Sequence, residues 1–293
     1  MKVLVYGNRV EKKDKPHFDD LMDSLSNLNA EIGFNDVLKE KIKILGQDPA
    51  RFQFISSYEG LKSFAPELVI TLGGDGTILR AVTLVKDSGI PILGINLGRL
   101  GFLSSIEKTK IRETFEDIGK GDYYVEERNL LGLSCNKELF GDTQFALNDF
   151  TITKRDDSSM IIIRAYIDGQ LLNAYWADGI IVATPTGSTG YSLSCGGPIV
   201  FPNADSFVIT PIAPHNLNVR PIVIPDDSKI TLEVEGRTEY YMCTLDSRFE
   251  TVTSKHIITI SKCDFAIKLA HPKGSNFMHT IRTKLMWGLD MRN

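Results

Sequence analysis

The hydrophobic period of this chain changes near residue 122, and no single packing layer accommodates the patterns on both sides of that point. Ahead of it, residues 2–6 form a short β-rich run. Phe18, Leu21, Met22, Leu25 and Leu28 then recur at helical spacing, which predicts a helix ending near Asn29. Residues 31–55 admit either helix or strand. Ser56 and Glu59 stand at capping-box spacing before Leu61 and Phe64, and Pro66 closes the short helix they start. Residues 68–72 and 90–95 read as strands apolar on both faces, with a helix over 78–86 between them. That is the pattern of a buried parallel sheet.

Beyond residue 122 the period is two. Residues 161–167 and 170–176 flank Asp168 and Gly169, the pair that a type I′ hairpin turn requires because both positions take positive φ. Residues 229–235 alternate Ile230, Leu232 and Val234 with polar side chains, 239–245 are aromatic-rich and 256–261 are β-branched, so more strands follow. The tail returns to helix. Phe277, Ile281 and Leu285 repeat every four residues behind Ser275 or Asn276 as N-cap, and the resulting apolar stripe needs a surface to cover it, for which the first domain is the economical choice. The expectation is therefore an α/β domain over residues 1–124 and 273–293, and an all-β domain over residues 125–272.

A chain of 293 residues is long enough for two such cores. Hydrophobic residues at 42% and charged residues at 24% exclude a disordered, collagenous or coiled-coil chain. The 37 acidic and 33 basic residues leave a net charge of -4, which is not the footprint of a nucleic-acid binder. Cys135, Cys195, Cys243 and Cys263 are too dispersed for a CxxC pair and read as reduced thiols, and the five histidines lack metal-ligand spacing. Residues 1–6 lack the long apolar core of a secretory signal. The longest uncharged stretch, 179–204, is too rich in Gly, Pro, Ser and Thr to span a membrane. These features predict a cytoplasmic protein with no membrane and no nucleic-acid partner.

The sharpest local signal is Gly73, Gly74, Asp75, Gly76 and Thr77, between a strand and a helix. Glycines at such a turn let the backbone approach a ligand closely, and the free N–H groups of the helix start form an anion site. A turn built of turn-forming residues accounts for Gly-Gly alone. Asp75 does not fit that reading as well, because a carboxylate beside a phosphate-binding loop is electrostatically costly unless it binds a metal or takes a proton. No GxxxxGK[ST] occurs and no GxGxxG follows the first strand, so neither a P-loop enzyme nor an ordinary dinucleotide dehydrogenase is expected.

The run from Leu72 to Leu79 resembles the GGDGT signature shared by NAD kinases, diacylglycerol-type lipid kinases and, more distantly, phosphofructokinases. Three further segments are similar to NAD kinases in particular. They are Gly94, Ile95, Asn96, Leu97, Gly98 with Leu100, Gly101, Phe102, Leu103; the Asn-Asp motif Leu147, Asn148, Asp149; and Asp178, Gly179 followed by the run from Thr184 to Ser192. Pro211 to His215 and Arg220, Pro221 agree as well. Lipid kinases also carry Asn-Asp-Phe after GGDGT, but with a Gly-Thr pair just before it, where Ala146 and Leu147 stand here. On four motifs in order, over residues 68–248, the chain is identified as a member of the NAD kinase family.

The resemblance implies a Rossmann-like N-terminal domain, a β-rich C-terminal domain that binds NAD and mediates oligomerisation, an active site between them, and a homo-oligomer, either dimer or tetramer. It implies NAD contacts from Asp75, Gly76, Phe102, Asn148, Asp149, Trp176, Asp178, Thr189, Gly190, Tyr191, Ser192, Leu193, Ser194, Ala213 and Asp246. Asp178 would meet the nicotinamide amide, and Trp176 departs from what some members carry there. Asp246 matches the acidic residue of a late Asp-Gly segment in which Ser247 replaces the glycine. The expected reaction transfers the γ-phosphoryl group of ATP to the 2′-hydroxyl of the adenosine ribose of NAD. Asp75 would be the general base, Gly73, Gly74, Gly76, Thr77 and Arg80 the donor loop, and Mg²⁺ or Mn²⁺ would bridge the donor phosphates. The rival readings are a lipid or sphingoid kinase and a dinucleotide sensor without catalysis.

Overall fold

Burial on both faces of its central strands dictates the first layer. In a computed structural model, which describes residues 1–98, 101–104, 106–155 and 159–288, the chain divides into one unit of Met1–Glu127 with Ile267–Asn293 and another of Arg128–Ala266. The first unit is built on parallel strands in the order Gln53–Ile55, Glu31–Asn35, Lys2–Gly7, Leu68–Leu72, Ile92–Asn96, with the end of Ile257–Pro272 completing the row. Val5 stands opposite Ile70, and Ile70 opposite Leu93. Helix Lys15–Asn27 covers this layer with Phe18, Leu21 and Leu25, all fully or almost fully buried, and Phe115 of helix Ile111–Gly119 joins the same cluster. Each such side chain contributes about 1.5–3 kcal/mol on leaving water.

The second unit carries a six-stranded antiparallel sheet in the order Ile222–Pro225, Ser206–Ile212, Gly179–Ala183, Asp149–Lys154, Tyr241–Leu245, Arg248–Val252. Phe150, Ile152, Ile180, Val182, Phe207 and Ile209 from this sheet share one core with Ile163, Ala165, Leu232, Ile258 and Ile260 from the strands that pair with Ile161–Ile167 and Ile230–Glu235. The hairpin Ile161–Ile167 and Gln170–Ala177 turns on Asp168 and Gly169 at φ of 50° and 80°, as its Asp-Gly pair requires. An α/β part and an all-β part are thus both present, as the change of period predicts.

Two local expectations need correction, and one open stretch is resolved. Ser57 rather than Ser56 caps helix Tyr58–Phe64, its side chain accepting from the Gly60 N–H. The stretch 31–55 resolves into two strands and the short helix Lys39–Ile44. Helix Phe277–Leu285, capped by Asn276, belongs to the first unit, but only Ile281 of its stripe is buried while Phe277 and Leu285 are half-buried. Among the described residues no helix is long and apolar enough to cross a membrane.

Candidate functional site

The GGDGT loop follows a strand, Leu68–Leu72, that is buried along its whole length, and this fixes where the loop starts. Helix Asp75–Val85 begins at once with Gly74 as N-cap, three residues ahead of the predicted Ile78, so Asp75, Gly76 and Thr77 form its first turn. A Cβ on Gly73 would sit 2.1 Å from Thr77 Oγ1, so only glycine fits there. Gly74 and Gly76 have open space where a Cβ would stand, and their backbone stays bare toward a cleft of about 440 Å³. The donor-loop residues Gly73, Gly74, Gly76, Thr77 and Arg80 all line this cleft, as do Asn96, Leu97 and Gly98. Bare N–H groups at a helix start favour an anion.

Asp75 lies at the rim of this loop with its carboxylate engaged by residues 102–104. Oδ1 accepts from the Leu103 N–H at 3.1 Å, the Ser104 N–H at 2.9 Å and the Ser104 hydroxyl at 3.0 Å. Among the described residues Oδ2 accepts only the Phe102 N–H, at 2.8 Å, and so retains lone-pair capacity. Gly101 makes this embrace feasible, because a Cβ there would lie 1.8 Å from Oδ1. Buried Asn96 donates from Nδ2 to Ser104 Oγ at 2.9 Å and orients the hydroxyl that donates to Asp75. Leu100, part of the matching motif, lies outside the described residues.

In the second unit, the Asn-Asp motif is bound from its far side by Asp246. The turn between Tyr241–Leu245 and Arg248–Val252 places Asp246 at φ 51°, in the left-handed region where Asp is tolerated better than most residues. Its carboxylate then accepts three consecutive backbone N–H groups, from Leu147 at 3.0 Å, Asn148 at 2.8 Å and Asp149 at 3.1 Å. Burial pushes the Asp246 carboxyl up, while these three donors and the charge of Arg248 act against it. From the other side, the Thr184 N–H donates to Asn148 O at 2.9 Å and the Thr184 hydroxyl to Leu147 O at 2.5 Å. Gly187 packs so tightly on Asn148 that a Cβ would stand 2.0 Å from its carbonyl oxygen.

This clamp leaves two polar groups with unmet needs. Among the described residues, buried Asn148 Oδ1 has no hydrogen-bond partner, and a buried acceptor in that state costs free energy until a donor reaches it. Asp149 is buried, and desolvation first, then the Asp246 charge, pushes its carboxyl up to about 7. Gly190 faces both: a Cβ there would lie 3.7 Å from Asn148 Nδ2 and from Asp149 Oδ2.

The Thr184–Ser194 segment behaves differently from a rank of hydroxyls aimed at a ligand. Ser188 Oγ donates to Pro185 O and receives the Val200 N–H, Ser192 Oγ pairs with Thr210 Oγ1 at 2.8 Å, and Thr189 Oγ1 donates to Thr186 O. Ser192 is fully buried, so its hydroxyl builds the segment rather than facing outward. Tyr191 and Ser194 are exposed, and Thr189 and Leu193 half-buried. Burial, followed by Cys195, Asp149 and Asp178, pushes the Tyr191 hydroxyl up, so its ring belongs to the same neighbourhood as both carboxylates. Asp178 is held by Lys154 at 2.8 Å, a partner the sequence did not announce. Trp176 is half exposed and lies against the His215 ring at 4.5 Å, beside Ala213 with its positive φ of 44°. Sequence reasoning also missed Asn8, Arg9 and Lys13 in the first unit's cleft, for which the polar run after the first strand was the available signal.

Comparison with known proteins bears on both units. Residues 22–123 match the model of the ATP-NAD kinase N-terminal domain and residues 147–271 that of the ATP-NAD kinase C-terminal domain. The chain is 45% identical over 299 residues to an NAD kinase of Flavobacterium johnsoniae, with 100% of each chain covered. Its fold is similar to the crystal structure of an NAD kinase from Archaeoglobus fulgidus in complex with ATP, at a TM-score of 0.76 and 26% identity, covering 98% of this chain and 99% of that one. The crystal structure of yeast NADH kinase complexed with NADH has the same fold, at a TM-score of 0.86 and 23% identity, covering 100% of this chain and 89% of that one. Matched along its whole length, this chain belongs to the NAD kinase family.

Proposed function

We infer that this protein is an NAD kinase that moves the γ-phosphoryl group of ATP to the 2′-hydroxyl of the adenosine ribose of NAD, giving NADP. The observation that carries this reading is Asp75, a carboxylate in the first turn of a helix whose bare glycine backbone opens on a cleft lined by Arg9, Lys13 and Arg80. Phosphoryl transfer needs positioning and charge neutralisation, and a ribose hydroxyl needs a base. Asp75 Oδ2, with its single donor, is the atom to take that proton, while Oδ1 is anchored by residues 103 and 104.

Asn148 and Asp149 supply the acceptor side. Asn148 Oδ1, with no partner among the described residues, and the Asp149 carboxyl, pushed up to about 7, offer directional contacts to a dinucleotide, with Gly190 leaving room for it and Tyr191 an aromatic face. Asp178, Trp176 and Ala213 would serve the nicotinamide end. Phe102, Gly76, Thr189, Leu193 and Ser194 complete the candidate set. Asp246 acts behind it, holding the backbone of Asn148 and Asp149, and the Ser192 hydroxyl pairs with Thr210 to support the Thr184–Ser194 segment.

A divalent cation, Mg²⁺ or Mn²⁺, would arrive on the donor. Among the described residues no three His, Cys, Asp or Glu side chains gather as a metal cage, whereas the glycine cradle and the cationic cleft fit a phosphate chain carrying its own metal. The ion would neutralise charge building on the transferred phosphoryl group. Reduced cysteines favour a cytoplasmic setting. The exposed Phe249, Leu171 and Ile257 of the β unit favour a dimer or tetramer, which light scattering checks.

The test is a coupled assay: Mg-ATP and NAD with the protein, and NADP read by an NADP-specific dehydrogenase. NADP formation is the expected result. Phosphorylation of a lipid without NADP would favour the lipid-kinase reading, and binding of NAD without turnover the sensor.

A further inference from the structure

The two oxygens of the Asp75 carboxylate are held with unequal firmness. Leu103 and Ser104, which donate to Oδ1, are buried, and Asn96 fixes the Ser104 hydroxyl from behind. Phe102, whose N–H donates to Oδ2, is only half-buried, so burial alone fixes it less well. A cation stands over its ring. Lys284 Nζ lies 5.7 Å from the Phe102 ring centroid, within the range in which an ammonium is attracted to an aromatic face. Lys284 comes from helix Phe277–Leu285, in the same unit as the loop. Buried Ile281 sets the rotation of that helix, and Lys284 follows three residues later on the same face. The helix then ends at once, with Met286 in the left-handed region at φ 55° and the Trp287 N–H returning to Arg282 O.

We propose that Lys284 is a positioning residue for phosphoryl transfer: by holding the Phe102 ring from the C-terminal helix, it fixes the N–H that aims Asp75 Oδ2. The proposal rests on the reading of Asp75 as the base. Oδ2 is the oxygen with spare capacity, so the direction of its remaining lone pairs follows from the one N–H that it accepts among the described residues. Small displacements of a catalytic group are costly, since misplacement by about 1 Å lowers a rate on the order of 10²-fold. A contact that is modest by itself therefore has leverage on kcat. The same N–H stabilises the ionised carboxylate, and weakening it raises the pKa of the base. In this role Lys284 acts through Phe102 and not on the reacting atoms.

A mutant cycle on the full chain, with kcat and KM measured against pH on Mg-ATP and NAD, provides the test. Lys284→Met keeps the length of the side chain and removes its charge, whereas Lys284→Arg keeps a cation over the ring. Lys284→Met should lower kcat at least about 5-fold, leave the KM for ATP within about 2-fold and move the acid limb of the kcat profile to higher pH. Lys284→Arg should recover most of that loss, and both variants should melt within about 3 °C of the wild type. Placed on top of Asp75→Asn, Lys284→Met should cost less than about 2-fold more, because the group through which it acts is gone. A Lys284→Met variant with wild-type kcat and pH profile would overturn the proposal. So would a loss that Lys284→Arg shares, that repeats in full on top of Asp75→Asn, or that follows a fall in melting temperature, since each marks a merely structural support. If Asp75→Asn itself kept near wild-type kcat, the base reading would fail and the proposal with it; a collapse in Asp75→Asn with no change in Lys284→Met would remove Lys284 alone.

Discussion

Both units hold a carboxylate with three consecutive backbone N–H groups, and they use it for opposite ends. In the first unit residues 102–104 donate to Asp75, and in the second residues 147–149 donate to Asp246. Asp75 sits at a helix start beside a cationic cleft, and one of its oxygens keeps spare acceptor capacity. Asp246 lies behind its segment, in a turn, and its charge falls on a second carboxylate, Asp149, whose own burial raises it to about 7. On the proposed reading, the same backbone device aims a base in one place, and in the other shapes a binding segment and tunes its neighbour. The lesson is that a row of N–H donors fixes a carboxylate's position, while its surroundings decide its chemistry.

Substitutions can break that comparison, starting with the largest effect. Asp75→Asn should lower kcat by about 10²- to 10⁴-fold, since the amide cannot accept the ribose proton. A variant with near wild-type kcat would remove Asp75 from the role of base. Asp246→Ala strips the acceptor from three backbone N–H groups, each of which costs about 1–3 kcal/mol when left unpaired. Urea denaturation should show a loss of at least about 3 kcal/mol. Stability within about 0.5 kcal/mol of wild type would mean that water replaces the clamp.

Asn148→Ala should raise the KM for NAD by about 5- to 150-fold, equivalent to about 1–3 kcal/mol, with the KM for ATP much less affected. Equal changes in both would return Asn148 to a turn-forming role. The smallest expected effect concerns Asp149 and pH. Its folded pKa of about 7 lies above the ordinary carboxylate range, so the folded state binds the proton more tightly than the unfolded chain. The stability this group contributes is complete below about pH 4 and is lost as pH rises through about 7. Melting temperatures across that window should fall in the wild type relative to Asp149→Asn, which carries no ionisable proton there. Parallel profiles would contradict the shift.

Local pattern made the loop and the hairpin legible. Gly73 to Thr77 could be placed on a strand-to-helix turn, and Asp168 with Gly169 on a type I′ turn, because each depends on neighbours in sequence. The clamps were less legible, because Asp246 reaches segment 147–149 across almost a hundred residues of chain and Asp75 reaches residue 104 across 29. The hydroxyls' own partners were hidden for a related reason. Ser192 has the composition of a ligand contact, but Thr210 from a neighbouring strand takes its hydrogen bond, and only the folded sheet brings the two together. Arg9 went unnoticed because an exposed arginine near a terminus has no pattern of its own until the glycine loop stands beside it.

The division of labour between the two clamps is tested most directly by calorimetric titration of NAD into Asp75→Asn and Asn148→Ala, with NADP formation measured on the same samples. The account predicts crossed losses: Asp75→Asn binds NAD within a few-fold of wild type yet turns over at least about 100-fold more slowly, while Asn148→Ala loses affinity by about 5- to 150-fold. If Asp75→Asn lost NAD affinity by the same factor as turnover, Asp75 would be a binding residue and the account would be wrong.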